Sequence, residues 1–287
     1  SGDCLNGIPR PSGRGVKVPI AIKDAYMPAT PEKTKPPSFH VLGVRVDALQ
    51  IPGVIAEIES WIARRERCHY IAVTGMHGVT EALHDAQFRA ILNSADLVVP
   101  DGMPLVWLGR WRGHSLRRRV YGPELMMAFC QVTAHRGYRH FFYGGRPGVA
   151  ETLASRLQAQ IPNLQVAGTY APPFRALTPQ EEAAIVRQIE CSAADVIWVG
   201  LGTPKQERWM SAHRDRLRAP VLLGVGAAFD IHAGALRQAP AWMRERGLEW
   251  LFRLSQEPKR LWRRYLVTGA DFAFHAALEI CGLRRFD

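Results

Sequence analysis

The chain has 287 residues, with 37 lysines and arginines against 26 aspartates and glutamates and a formal net charge of +11. That balance favours anionic partners: phosphorylated ligands, an anionic membrane surface or nucleic acid. Five scattered cysteines with no CxxC pair argue against a zinc site or a disulfide framework, and point to a reducing cytoplasm. No apolar run has transmembrane length, and the first residues lack the apolar stretch of a signal peptide.

Residues 1–38 are rich in Pro, Gly and Lys and read as a linker or disordered segment. From 39 onwards short apolar runs alternate with helical patterns. "HVLGVRV", "YIAVTG", "DLVVPDG", "RHFFYGG", "LQVAGTY", "DVIWVGLG" and "VLLGVGAAFD" read as strands. Helices are expected at 48–66, 79–93, 123–136, 147–160, 179–191 and 205–217, where apolar residues such as Val149, Leu153 and Leu157 recur near the helical period. At 177–182, "LTPQEE" is a helix start, with Thr178 as N-cap, Pro179 in the first turn and acids behind it. Such alternation predicts an α/β fold with a mostly parallel sheet flanked by helices, over 39–235. Beyond it, 236–287 reads as a basic, aromatic helical appendage in which Pro258 opens a new helix.

In open parallel sheets, ligands bind beyond the carboxyl ends of the strands. "TGMHG", "DG" at 101–102, "YGGRPG", "GLGTPKQE" and "GAAFDIHAG" all fall at such ends. Glycines there let backbone approach a ligand, and a following helix start offers N–H groups to phosphate. Neither "YGGRPGVAE" nor "GLGTPKQE" matches a dinucleotide or P-loop fingerprint. Asp101 is either a turn-former before Gly102 or a catalytic base. His77 is a second candidate base or a polar loop residue, and Asp230 either meets ribose hydroxyls or caps the next segment. The run "RWRGHSLRRR" reads as a solvated face, whereas the tail mixes Arg260, Arg263 and Arg264 with Trp250, Phe252 and Trp262. Basic residues among aromatics suit a membrane interface, and ordinary helix packing explains them equally well.

Taken in order, "FRAILNSADLVVPDGMPLVW", "RRVYGPELM", "FFYGGRPGVAE", "VGLGTPKQERWM", "GVGAAFDIHAG" and "RQAPAWMRERGLEWLFRLSQEPKRLWRRYL" resemble the WecG/TagA/CpsF glycosyltransferases, glycosyltransferase family 26, across roughly 39–270. The resemblance implies a Rossmann-like core of the GT-E type and an appendage that docks on the cytoplasmic face of the membrane and helps close the site. It implies inverting, metal-independent and cofactor-free transfer from a UDP-sugar to a polyprenyl-diphosphate-linked glycan. The sugars moved in the family are N-acetylmannosamine, its uronic acid or glucose-type sugars. Carried over by position, the base falls on Asp101 and the loop threonine on Thr74. Ligand contacts fall on Arg119, Gln206 and Asp230, and the appendage arginines that meet diphosphate on Arg253, Arg260 and Arg263. The turns holding Gly144 and Gly145, and Gly202, Pro204 and Lys205, join the binding set. One position departs: members often carry asparagine two residues after the loop threonine, and here Met76 stands there with His77 beside it. That loop meets sugar or acceptor in the family.

The expectation is therefore a peripheral enzyme on the inner face of the bacterial cytoplasmic membrane. Its expected partners are a UDP-sugar, a lipid-linked acceptor and anionic lipid, with self-association also open and nucleic acid not expected. Two rivals are weighed. A Rossmann-type oxidoreductase requires a GxGxxG turn after its first strand, and the first clear turns are "TGMHG" and "VPDG". A basic nucleic-acid-binding protein is allowed by the charge, but the chain carries no recognised motif of that kind.

Overall fold

The structure is a computed structural model that describes residues 35–286. The segment 1–34, most of the expected linker, lies outside the described residues.

Six strands form one parallel sheet. They are β3 (His69–Thr74), β4 (Leu97–Pro100), β5 (Arg139–Gly144), β6 (Gln165–Tyr170), β7 (Val196–Gly200) and β8 (Val221–Gly224), in the order β4-β3-β8-β7-β5-β6. The first strand run is a separate hairpin instead, β1 (Ser38–Val41) paired antiparallel with β2 (Val44–Asp47). Leu42 and Gly43 form its two-residue loop, both at positive φ, 49° and 79°. That geometry matches the twist of a tight hairpin, and a single apolar run of this length conceals it. Asp47 fastens the hairpin to the sheet by accepting the Val98 N–H at 2.7 Å.

In the inner strands residues alternate between two covered faces, which is why these read as continuous apolar runs, whereas the edge strand β6 (QVAGTY) is only partly buried. Tyr70, Ala72, Val98, Phe141, Tyr143, Ile197, Val199 and Leu222 belong to one core cluster. That cluster includes residues of the hairpin and of α2 (Met76–His84), α3 (Ala86–Asn93), α4 (Met103–Trp111), α7 (Pro179–Cys191), α8 (Lys205–His213) and α13 (Thr268–Ile280). On the opposite face, Phe129 of α5 (Gly122–Thr133) meets His140 and Trp198, and Phe229 of α9 (Ala228–His232) meets Phe142. The remaining core helices are α1 (Ile51–Arg64) and α6 (Val149–Gln160). His140 is an ordinary core histidine. Burial pushes its pKa down to about 4, and its Nδ1 accepts the Trp198 indole N–H at 3.0 Å.

Several element boundaries differ from the sequence reading, three of them informatively. The helix expected over 79–93 is two helices. Asp85 leaves the helical conformation, ends α2, and caps α3 by accepting the Phe88 N–H at 2.9 Å. The pattern at 103–111 gives no helix, yet α4 forms there because Leu105, Val106 and Leu108 are buried and Gly109 admits Phe39 and Leu116. The helix expected over 205–217, α8, stops at His213. The start at 178 is as expected: Thr178 caps α7 and exchanges a reciprocal capping box with Glu181. The tail holds α10 (Ala241–Glu245), α11 (Glu249–Gln256), α12 (Pro258–Trp262), one wide turn at Arg263–Val267, and α13.

Candidate active site

Connections after β3 and β8 leave to opposite faces of the sheet, so a crevice opens between them at the carboxyl ends. The loops after β3, β4, β5, β6, β7 and β8 border a cleft of about 1470 Å³, and α11, α12 and the wide turn supply its remaining wall. Core and appendage therefore build one site.

Asp101 sits at its floor. The Asp101 N–H donates to the Thr74 carbonyl at 2.7 Å, tying the ends of β4 and β3 together. Gly75 passes so close to the Asp101 carbonyl that a Cβ there would collide with it, and Gly102 takes φ 152°, which a side chain resists. The Asp101 side chain keeps 28 % of its surface open, while Oδ1 is covered and accepts no hydrogen bond. Burial raises its pKa to about 6, against the opposing pull of Arg119, Arg253 and Arg264. Glu249 adds to the rise. A carboxylate in that state is a stronger base than an ordinary aspartate and is still ionised at neutral pH.

Arg119 approaches Asp101 Oδ1 at 3.7 Å, beyond hydrogen-bond reach. Its firm partner is Glu249 of α11, a buried carboxylate that also accepts the Tyr121 hydroxyl at 2.7 Å. The Arg119 guanidinium lies 4.1 Å from the Tyr121 ring centroid. Neither Glu249 nor Tyr121 was singled out from sequence, because their meeting depends on a contact across about 130 residues.

The other expected residues divide into two groups. Gly145, Gly202, Lys205, Gln206, Asp230, Arg253, Arg260 and Arg263 line the cleft with Asp101 and Arg119. Thr74 is buried behind the wall with its hydroxyl unpartnered, and Gly144 packs on the Gly200 backbone. Pro204 shapes the turn between Gly202 and Lys205. Gln206 is pinned: its amide oxygen accepts the Gly202 N–H at 3.2 Å and its NH2 donates to Glu207 at 3.0 Å. Glu207 is itself fully buried and also accepts the Thr203 hydroxyl at 2.9 Å, so it holds this loop from beneath.

Asp230 pairs with Arg146 at 3.7 Å and Arg260 with Glu257 at 2.6 Å. Arg253 and Arg264 have no such acidic partner among the described residues, and both face the cleft. Burial first, and then the charge of Arg264, drives the His77 imidazole down to about 4, so His77 is neutral at pH 7. Met76 and His77 both line the wall. Among the described residues no group of three or more His, Cys, Asp or Glu side chains gathers as a metal cage.

The chain matches the Glycosyl transferase WecG/TagA/CpsF family over residues 39–285. It is 29 % identical over 224 residues to an N-acetylglucosaminyldiphosphoundecaprenol N-acetyl-beta-D-mannosaminyltransferase of Bacillus subtilis (strain 168), covering 75 % of this chain and 85 % of the relative. To the enzyme of the same name from Staphylococcus aureus (strain MRSA252) it is 27 % identical over 234 residues, covering 81 % of this chain and 90 % of the relative. With the family matched across core and appendage alike, the chain belongs to the WecG/TagA/CpsF family and is a glycosyltransferase.

Proposed function

We propose that this enzyme moves a sugar from a UDP-sugar to a polyprenyl-diphosphate-linked glycan; the names of its relatives give N-acetylmannosamine as the sugar they move and an N-acetylglucosaminyldiphosphoundecaprenol as the acceptor. N-acetylmannosamine, its uronic acid and glucose-type sugars are the donor classes. The carrying observation is Asp101: a hydrogen-bond-free carboxylate of raised pKa at the floor of a cleft walled by arginines.

The acceptor sugar hydroxyl gives its proton to Asp101 as its oxygen attacks the anomeric carbon. The bond from that carbon to the diphosphate breaks on the opposite side, so configuration inverts in one displacement. Both electrons of that bond leave with UDP. Guanidinium groups suit the developing charge, because their forked N–H donors fit phosphate oxygens. Arg253, Arg260 and Arg263 fill this role, with Arg264 beside them, and the step needs no metal ion. Arg119, held by Glu249, offsets charge next to Asp101.

The appendage exposes Trp242, Trp250, Leu251, Trp262, Leu266, Val267, Phe274, Ile280 and Leu283. Among the described residues no helix is long and apolar enough to cross a membrane. These side chains, set among arginines, suit the interface of an anionic bilayer, where the lipid-linked acceptor resides. The enzyme is then peripheral on the inner face of the cytoplasmic membrane.

Calorimetric titration with UDP, with and without EDTA, tests the donor and the metal independence together. Micromolar affinity unchanged by EDTA supports the reading; EDTA-sensitive binding removes the metal-free mechanism. Absence of UDP binding both in detergent and on anionic vesicles removes the donor.

A further inference from the structure

Helix α4 is apolar on two faces. Leu105, Val106 and Leu108 turn into the core. On the outer side Trp107 and Trp111, one turn apart, are 51 % and 61 % exposed. A helix at the surface ordinarily turns charged or polar groups toward water, and the second apolar face hides the helical period of this one in the sequence. Arg110, the charged residue of α4, is tied to the loop that follows. Its Nε donates to the Leu116 carbonyl at 2.5 Å and its guanidinium NH2 to the Arg117 carbonyl at 2.6 Å. Both indoles stay open. Two such rings side by side in water forgo hydrophobic stabilisation, which marks this face as a contact surface.

The stripe starts inside the cleft. Met103, Pro104 and Trp107 line it together with Asp101, whereas Trp111 lies outside the lining. From Met103 to Trp111 the helix rises about 12 Å. Helix α4 follows the edge strand β4, and the loops after β8, β7 and β5 lie on the far side of β3. The stripe therefore leads out at the sheet edge, away from the turns that hold Gly145, Gly202 and Lys205. The appendage flanks its inner end. Gly247, at φ 75°, lies so close that an added Cβ would stand 3.0 Å from Met103 and 3.7 Å from the Trp107 ring.

The contents of the path name its occupant. An acceptor whose sugar hydroxyl meets Asp101 carries its diphosphate and then its lipid away from that carboxylate. Arg119 inside the cleft and the exposed Arg117 and Arg118 beyond it place positive charge along the same path, which suits a diphosphate. Indoles offer a hydrocarbon chain a large, stiff apolar area. A second copy of the chain would cover Trp111 but not the part of the stripe that lies in the cleft.

We infer that the Trp107–Trp111 face of α4 is the track along which the first isoprene units of the acceptor leave the cleft. This rests on the polyprenyl-diphosphate reading above. The test is calorimetry, without membrane or detergent, of wild type, Trp111→Ala and Trp111→Phe with UDP and with N-acetylglucosaminyl diphosphate esterified to farnesyl or to methyl. Wild type is expected to bind the farnesyl ester roughly tenfold tighter than the methyl ester, the change that about 55 Å² of apolar contact gives. Trp111→Ala is expected to lose most of that preference and Trp111→Phe to keep most of it. UDP and the methyl ester are expected to bind all three proteins alike. A farnesyl preference unchanged in Trp111→Ala overturns the track. If that variant also loses sedimentation with anionic vesicles, the face meets bilayer lipid instead. An equal loss of both esters overturns the track too, since it indicates a displaced helix. Wild type that binds UDP but neither ester overturns the lipid-linked acceptor, and the track with it.

Discussion

Asp101 combines two demands in one residue. Its raised pKa suits it to the proposed role of base and also makes it costly to keep ionised in the folded chain. The folded value is about 6 against an ordinary 3.8. Between those values the folded state binds more protons than the unfolded state, so stability falls as pH rises from about 4 to about 6 and then levels off. The shift corresponds to at most about 3 kcal/mol. Asp101→Asn is therefore expected to raise Tm at pH 7.5 but not at pH 4.5, while abolishing turnover on a lipid-linked acceptor. In the wild type, kcat/KM is expected to climb through about pH 6 and hold a plateau above it. Turnover retained by Asp101→Asn, or a profile flat through pH 6, removes Asp101 as the base. This assignment was only half legible in sequence. "VPDG" places a carboxylate at a strand end, but the partnerless Oδ1 and the arginines around it come from distant segments.

At the scale of elements, the appendage is fastened to the core by charge as well as by packing. Glu249 takes Arg119 and Tyr121, Arg244 pairs with Glu124, and Arg112 reaches Glu279 at 3.2 Å. His84 and Asp271 add a contact at 2.6 Å. Removing one member of a buried pair strands the other, a loss of about 3–5 kcal/mol when burial is complete. Arg119 keeps 15 % of its surface open, so Glu249→Ala is expected to cost less, about 2–3 kcal/mol. Because the lost contacts join two parts of the chain, hydrogen exchange is expected to quicken mainly across 241–262. Uniform quickening through the parallel sheet instead makes Glu249 a general core residue rather than a fastening. The capping box of α7 offers a contrast. Thr178→Ala is expected to cost about 1 kcal/mol in denaturant melts, since the cap is local and exposed. The same change is expected to loosen Glu181 and its fork to Arg175.

Across the whole molecule, the cleft has a core wall that orients chemistry and an appendage wall that adds charge. Trp250 and Leu266 belong to the cleft lining, whereas most exposed apolar side chains of the appendage, among them Trp242, Trp262, Val267 and Phe274, lie outside it. In the proposed function the bilayer meets these side chains, so binding to vesicles and binding to nucleotide are separable. Val267→Ser with Phe274→Ser changes two side chains that are 55 % and 61 % exposed and lie outside the cleft lining, and is expected to leave Tm within about 1 °C. The pair is expected to weaken sedimentation with anionic vesicles several-fold and to lower turnover on membrane-embedded acceptor, with UDP affinity unchanged. Undiminished vesicle binding places the membrane contact elsewhere. Raising salt is expected to weaken the wild-type interaction too, since a net charge of +11 contributes to it.

Sequence by itself determined the parts of this protein that repeat a local rule. Continuous apolar runs gave parallel strands buried on both faces, and the Thr178–Glu181 spacing gave a capped helix start. Glycine-bearing loops at strand ends marked where the cleft opens. The ordered motifs of a known family gave the reaction class. Tertiary structure decided what depends on distant segments meeting. It made a hairpin of one apolar run, bent one expected helix into two at Asp85, and formed α4 where burial outweighs a weak local pattern. It locked Gln206 between Gly202 and Glu207, joined Arg119 to Glu249, and brought Arg264 into the same cleft as Asp101. The physical reason is the same throughout. Periodicity and capping act over a few residues, whereas desolvation and charge pairing depend on which surfaces the fold brings together.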